Sequence, residues 1–184
     1  MSSRRSRELY TQFNLIVSHL PGYDEKREAM KHLRWLLDDV EIVESRPNLL
    51  LAKVEDPIDA VERLRRSLPK HTTILRVIPV MEVTYPNVEN VRDVVHKLLK
   101  GREGSFAIKL DGHLYDSEGR MMHKVDSITV LADGIDLPVN LSNPDILVYI
   151  KIVRYRRNYL AAVYVGSPDG ILSVKKLFGE TKNN

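Results

Sequence analysis

Over residues 12–83 the hydrophobic pattern runs in the order strand, helix, strand, strand, helix, strand, and few folds accept that order. Phe13, Leu15 and Val17 alternate with Asn14, Ile16 and Ser18 until Pro21-Gly22 breaks the run, which is the period of two that a strand requires. Asp24 predicts the N-cap of a helix through Asp39, with Ala29, Met30, Leu33, Leu36, Leu37 and Val40 as its inward stripe. Trp35, the single tryptophan, lies about 160° around the helix from that stripe, so it is either exposed or packed against another domain or a partner. Short strands over 40–45 and 48–54 flank Arg46-Pro47 as a hairpin. Asp56-Pro57 then supplies an N-cap with proline at the first helical position. The helix it opens, to Leu68, turns Ile58, Val61, Leu64 and Leu68 inward. Residues 72–83 complete the set as one long strand, with Pro79 marking a bulge or an edge. This is the split βαβ, or ferredoxin-like, order over 11–85, and it carries no function of its own.

Tyr85-Pro86 is the natural boundary to a second domain. Asn87 caps a helix carrying Val88, Val91, Val94, Val95, Leu98 and Leu99, and Gly101 ends it. Residues 105–110 form a strand with Phe106, Ile108 and Leu110 on one face, followed by a turn at Asp111-Gly112-His113. Asp116 or Ser117 caps the next expected helix, with Met121, Val125, Ile128 and Ala132 inward and Arg120, His123, Lys124 and Ser127 pointing away. Strands over 145–154 and 159–165 meet at a tip, Arg156-Arg157-Asn158; residues 171–178 and a basic tail follow. The expected class is therefore α+β: a basic arm over 1–10 (Arg4, Arg5, Arg7), a ferredoxin-like domain over 11–85 and an α/β domain over 86–184.

With no cysteine among 184 residues, a disulfide framework, a thiolate nucleophile, an iron–sulfur cluster and a cysteine zinc site are all excluded. No apolar run approaches the ~20 residues that span a bilayer, and the basic start lacks the apolar core of a signal peptide. A cytoplasmic protein is the expectation. Phosphate-loop, dinucleotide, nucleophile-elbow and H-E-x-x-H motifs are absent. The six histidines (19, 32, 71, 96, 113 and 123) show no metal-ligand spacing, so neither a metal nor a cofactor is expected.

A net charge of +3 says little by itself, but its distribution says more. Lys97, Lys100 and Arg102 crowd one helix end. Lys151, Arg154, Arg156 and Arg157 fall together with no acid among them, near Tyr149, Tyr155 and Tyr159. Such a set can grip phosphates and stack a base; it can equally be a solvated strand edge that discourages aggregation. Arg120, His123 and Lys124, opposite a core face of the same domain, tip the balance toward nucleic acid.

Phe106-Ala107-Ile108, the helix from Ser117, Ile135-Asp136-Leu137, Ser142-Asn143-Pro144-Asp145 with the strand from Ile146, and the run from Tyr159 together resemble a THUMP domain, an RNA-binding module of tRNA-modifying proteins. Members of that family place a ferredoxin-like domain directly before it. The resemblance implies a non-catalytic adaptor that binds the acceptor end of tRNA and presents it to an RNA acetyltransferase for N4-acetylcytidine formation. Twenty or so residues after the domain are too few for a catalytic fold. The alternative is the RNA-binding part of a tRNA methyltransferase, thiouridine synthetase or deaminase whose catalytic domain is on another chain or missing. Expected RNA contacts are Lys97, Lys100, Arg102, Lys109, Arg120, His123, Lys124, Asn143, Lys151, Arg154, Arg156 and Arg157, with no catalytic residue. The chain departs from the family at Asp111-Gly112, where many relatives carry Lys-Arg, and Lys109 or His113 stands in. Partners are tRNA and a tRNA-modifying enzyme, with no membrane; Trp35 would suit a homodimer or a protein partner.

Overall fold

The computed structural model describes residues 12–179, so the expected basic arm, 1–10, lies outside them. Among these the chain forms two compact units, 12–80 with 169–179, and 81–168. No described helix is long and apolar enough to cross a membrane.

The first unit contains β1 (Leu15–His19), α1 (Tyr23–Leu36), β2 (Glu41–Arg46), β3 (Leu49–Lys53), α2 (Pro57–Ser67) and β4 (Ile74–Pro79). Its sheet runs β2-β3-β1-β4, antiparallel throughout, which is the arrangement the split βαβ order demands. Leu15 and Val17 meet Ala29, Leu33, Val61 and Leu64 in a single core. Asp56 caps α2 as its sequence predicts: its Oδ1 accepts from the amides of Ile58 (3.0 Å) and Asp59 (3.1 Å). Asp24 does not cap α1. Gly22 takes that position without a side-chain bond, and Asp24 sits in the first turn, where its charge still meets the positive end of the helix dipole. Ile58, expected inward, is exposed on the first turn of α2.

The expected long strand over 72–83 is two strands. β4 ends at Pro79, which has no N–H to carry the ladder on. Val80 then bonds Asn14 in the first unit, while the amide of Met81 bonds Val163 in the second.

The second unit contains β5 (Glu82–Thr84), α3 (Val88–Leu99), β6 (Phe106–Asp111), α4 (Lys124–Ala132), β7 (Ile146–Tyr155) and β8 (Asn158–Gly166). Its sheet runs β5-β8-β7-β6, with β6 and β7 parallel and the other pairs antiparallel. Val91, Val95 and Leu131 of the helices pack on Phe106, Leu110, Val148, Ile150 and Val163. Asn87 caps α3 through the amides of Glu89 (3.0 Å) and Asn90 (3.2 Å).

The second helix of this unit differs from expectation in start and phase. Residues 116–120 form a turn in which Asp116 Oδ1 accepts from the amides of Glu118 and Arg120, both at 2.9 Å. Gly119 there has φ 77°, which no helical turn contains. α4 begins only at Lys124. Met121 and Val125, expected in the core, are 61% and 74% exposed, and Ser127, expected outside, is fully buried with Leu131, while Ile128 and Ala132 pack on the core as expected.

The chain ends in β9 (Leu172–Ser173) and α5 (Val174–Leu177). β9 pairs with β4 through Arg76–Ser173 and Val77–Leu172, and Leu172 and Val174 enter the first core. Sequence order alone assigns these residues to the domain starting at 86; in space they join the first sheet.

Candidate nucleic-acid interface

Because β6 and β7 are parallel, both finish at the same end of the second unit. Two helices begin there. The amide of Val88, the first residue of α3, bonds the carbonyl of Tyr115 (2.9 Å), and that of Met122, just before α4, bonds Leu114 (2.9 Å). Leu114 and Tyr115 lie three and four residues beyond the end of β6. Both helix N-termini bring partial positive charge to this end, with the first three amides of α3 already taken by Tyr115 and Asn87.

β7 runs past β6 to a hairpin whose last pair is Tyr155–Asn158, leaving Arg156 and Arg157 as the turn. Arg156 adopts φ 54°, and its guanidinium lies 5.2 Å over the Tyr155 ring. Arg154 stands opposite Tyr159 in the register, and both are exposed. The same end carries His113, Arg120, His123 and Lys124 with the exposed apolar side chains of Met121 and Val125. Among the described residues Lys124, Arg154 and Arg157 make no ion pair, whereas Arg120 is held by Asp116 (3.1 Å) and Glu118 (2.9 Å). Asp116 is in turn kept below the usual carboxylate range, foremost by the Arg120 amide.

The other expected contacts lie elsewhere. Lys97, Lys100 and Arg102 are at the C-terminal end of α3, about 18 Å away along a twelve-residue helix. There they line a groove with Ile135, Asp136 and Leu137. Lys97 is committed to Glu82 at 2.5 Å, and Arg102 Nε donates to the Leu98 carbonyl at 3.1 Å.

Asn143 is at that end too. Its amide bonds Asn140 Oδ1 (3.0 Å), which also accepts from the Ser142 amide (3.2 Å), so Asn140 organises the turn. Asp145 Oδ2 accepts from Ser105 N (2.9 Å) and Oγ (3.1 Å), and Ser105 Oγ accepts from the Asp145 amide (3.1 Å). This reciprocal clamp joins the starts of β6 and β7, and the Ser105 amide is the main cause holding Asp145 below the usual carboxylate range.

Lys109 and Lys151 alternate with the residues that face the helices, so they lie on the other side of the sheet from Arg154. Lys109 Nζ is 5.8 Å over the Tyr149 ring. Lys151 Nζ is 2.7 Å from Asp111 Oδ2, which also accepts from the Tyr149 hydroxyl at 3.1 Å. Burial pushes the Asp111 carboxyl up, but Lys151, Tyr149 and Lys124 together outweigh it and hold the group below its ordinary value.

The twelve expected contacts therefore do not make one patch. Sequence reasoning missed Met121 and Val125 as surface residues, and the signal against burying them was Gly119 inside the expected first turn.

No family model and no curated protein matches the chain. Solved structures do. PH1313 from Pyrococcus horikoshii is 16% identical with a TM-score of 0.57, over 84% of this chain and 55% of that one. TrmN from Thermus thermophilus is 14% identical with a TM-score of 0.51, over 82% and 44%. The fold is THUMP-like. A 4-thiouridine synthetase solved with RNA and bound ATP is 14% identical, with a TM-score of 0.48 over 84% and 42%. The THUMP-like chain thus spans about half the length of the solved chains it matches.

Proposed function

We propose that the chain binds tRNA through the β6–β7 end of its second unit and presents it, without catalysing a reaction itself, to an RNA acetyltransferase that forms N4-acetylcytidine. The observation that carries the RNA reading is the gathering of Lys124, Arg154, Arg156 and Arg157 around exposed Tyr159, Met121 and Val125. Exposed cations gathered at one end of a sheet neutralise phosphates. Exposed aromatic and apolar side chains accept unstacked bases, which a single-stranded acceptor end offers and a duplex does not. The N-terminus of α4, which has no side-chain cap, favours anions at the same place. The adaptor role and the acetylation come from the sequence resemblance.

A second reading is the RNA-binding portion of a tRNA methyltransferase, thiouridine synthetase or deaminase. The length of the solved chains that share the fold, about twice the matched part, favours it.

Mobility shift with tRNA at two salt concentrations tests binding. Affinity should fall steeply with salt, and replacing Arg154, Arg156 and Arg157 by Ala should weaken it about tenfold or more with circular dichroism and melting unchanged. Affinity for tRNA no better than for an unrelated hairpin defeats the proposal. Mass spectrometry of tRNA nucleosides from a strain lacking the protein separates the readings: loss of N4-acetylcytidine supports the adaptor, loss of a methylated or thiolated nucleoside the second.

A further inference from the structure

We infer that Glu28, His32 and His71 form a zinc site in the first unit. Nothing in their sequence spacing suggests it; the fold assembles it. Glu28 and His32 are four apart on α1 and so share a face, while His71 comes from the loop that leads into β4. One ligand atom from each lies within 4.8 Å of the others. His32 Nε2 is 3.3 Å from Glu28 Oε1, and His71 Nε2 is 3.8 Å from the same oxygen. Ligands bound to zinc at about 2.0–2.1 Å in a tetrahedron sit roughly 3.4 Å apart, so the first pair already has that separation. His71, 75% exposed, is free to close the rest by side-chain rotation.

The buried ring is held the way a ligand ring is held. His32 is 2% exposed, and its Nδ1 is 2.9 Å from Thr72 Oγ1. Thr72 Oγ1 also accepts from the Ile74 amide at 3.2 Å, which ties it to β4. A hydrogen bond at one ring nitrogen sets the tautomer and aims the other, here Nε2 toward Glu28. The His32 and His71 rings stand edge-on, 5.7 Å apart at 67°, with both Nε2 atoms near one carboxylate. An ordinary ion pair would need only one of them. Two imidazoles and a carboxylate are a borderline donor set that suits zinc, with a fourth position left to water.

Such an ion would fasten α1 to the entry of β4 and bind only the native arrangement, so it would stabilise the protein. The test uses the full chain stripped with chelator, zinc titrated by calorimetry, and thermal melting. Saturable one-to-one binding is expected, with a rise in melting temperature of roughly 5 °C or more at zinc about a hundredfold above its dissociation constant. Cobalt should give the visible absorption of a low-coordinate site. His71→Ala and Glu28→Gln, at exposed and half-buried positions, should keep the circular dichroism spectrum and lose affinity by about tenfold or more. Absence of saturable binding overturns the site, and so does zinc binding that survives both substitutions.

Discussion

Asp111 shows how one residue can be redirected by its neighbours. The resemblance to a THUMP domain puts Asp111-Gly112 where many relatives have a basic pair, and here the acid is committed to its neighbours. The carboxylate is engaged by Lys151 and Tyr149, and a Cβ on Gly112, at φ 115°, would come within 2.7 Å of the Ile152 side chain. The folded state lowers the Asp111 pKa below its ordinary 3.8, so its ionised form is the one that folding favours. The stability it contributes is fully present above the unfolded value and is lost as pH falls through the lower folded value. Urea unfolding of the protein and of Asp111→Asn should therefore differ at pH 7 and converge in strong acid. Curves that keep the same separation at every pH would contradict the assignment.

At the scale of the element, α4 is the helix whose phase decides the surface. A helix begun at Asp116 buries Val125; a helix begun at Lys124 buries Ser127 and Leu131 instead. Leu131→Ala should cost about 2–5 kcal/mol, and Val125→Ala should stay within roughly 0.5 kcal/mol, measured as shifts in the denaturant midpoint. The reverse order would restore the earlier start. Caps were legible because they are local: Asp56 and Asn87 each bond amides two and three residues on. Asp116 reads as a cap by the same rule and does bond amides ahead of it, but Gly119 turns the chain away before a helix forms.

For the whole molecule, the parallel pairing of β6 with β7 sorts the cations by end and by face. Replacing Lys97, Lys100 and Arg102 by Ala should weaken tRNA binding less than replacing Arg154, Arg156 and Arg157. The second set should also lower the slope of log affinity against log salt by about 2–3; equal losses would mean that both ends touch RNA. The sequence by itself determined the alternation of strands and helices over residues 15–67, the caps at Asp56 and Asn87 and the hairpin with its arginines. These follow from periodicity and turn chemistry within a few residues of chain. Only the tertiary structure decided that Leu172 and Ser173 complete the first sheet, that β6 pairs in parallel with β7, and that Glu28, His32 and His71 converge. Each of these depends on a partner far along the chain, chosen by which apolar faces bury one another, and no local pattern encodes that choice.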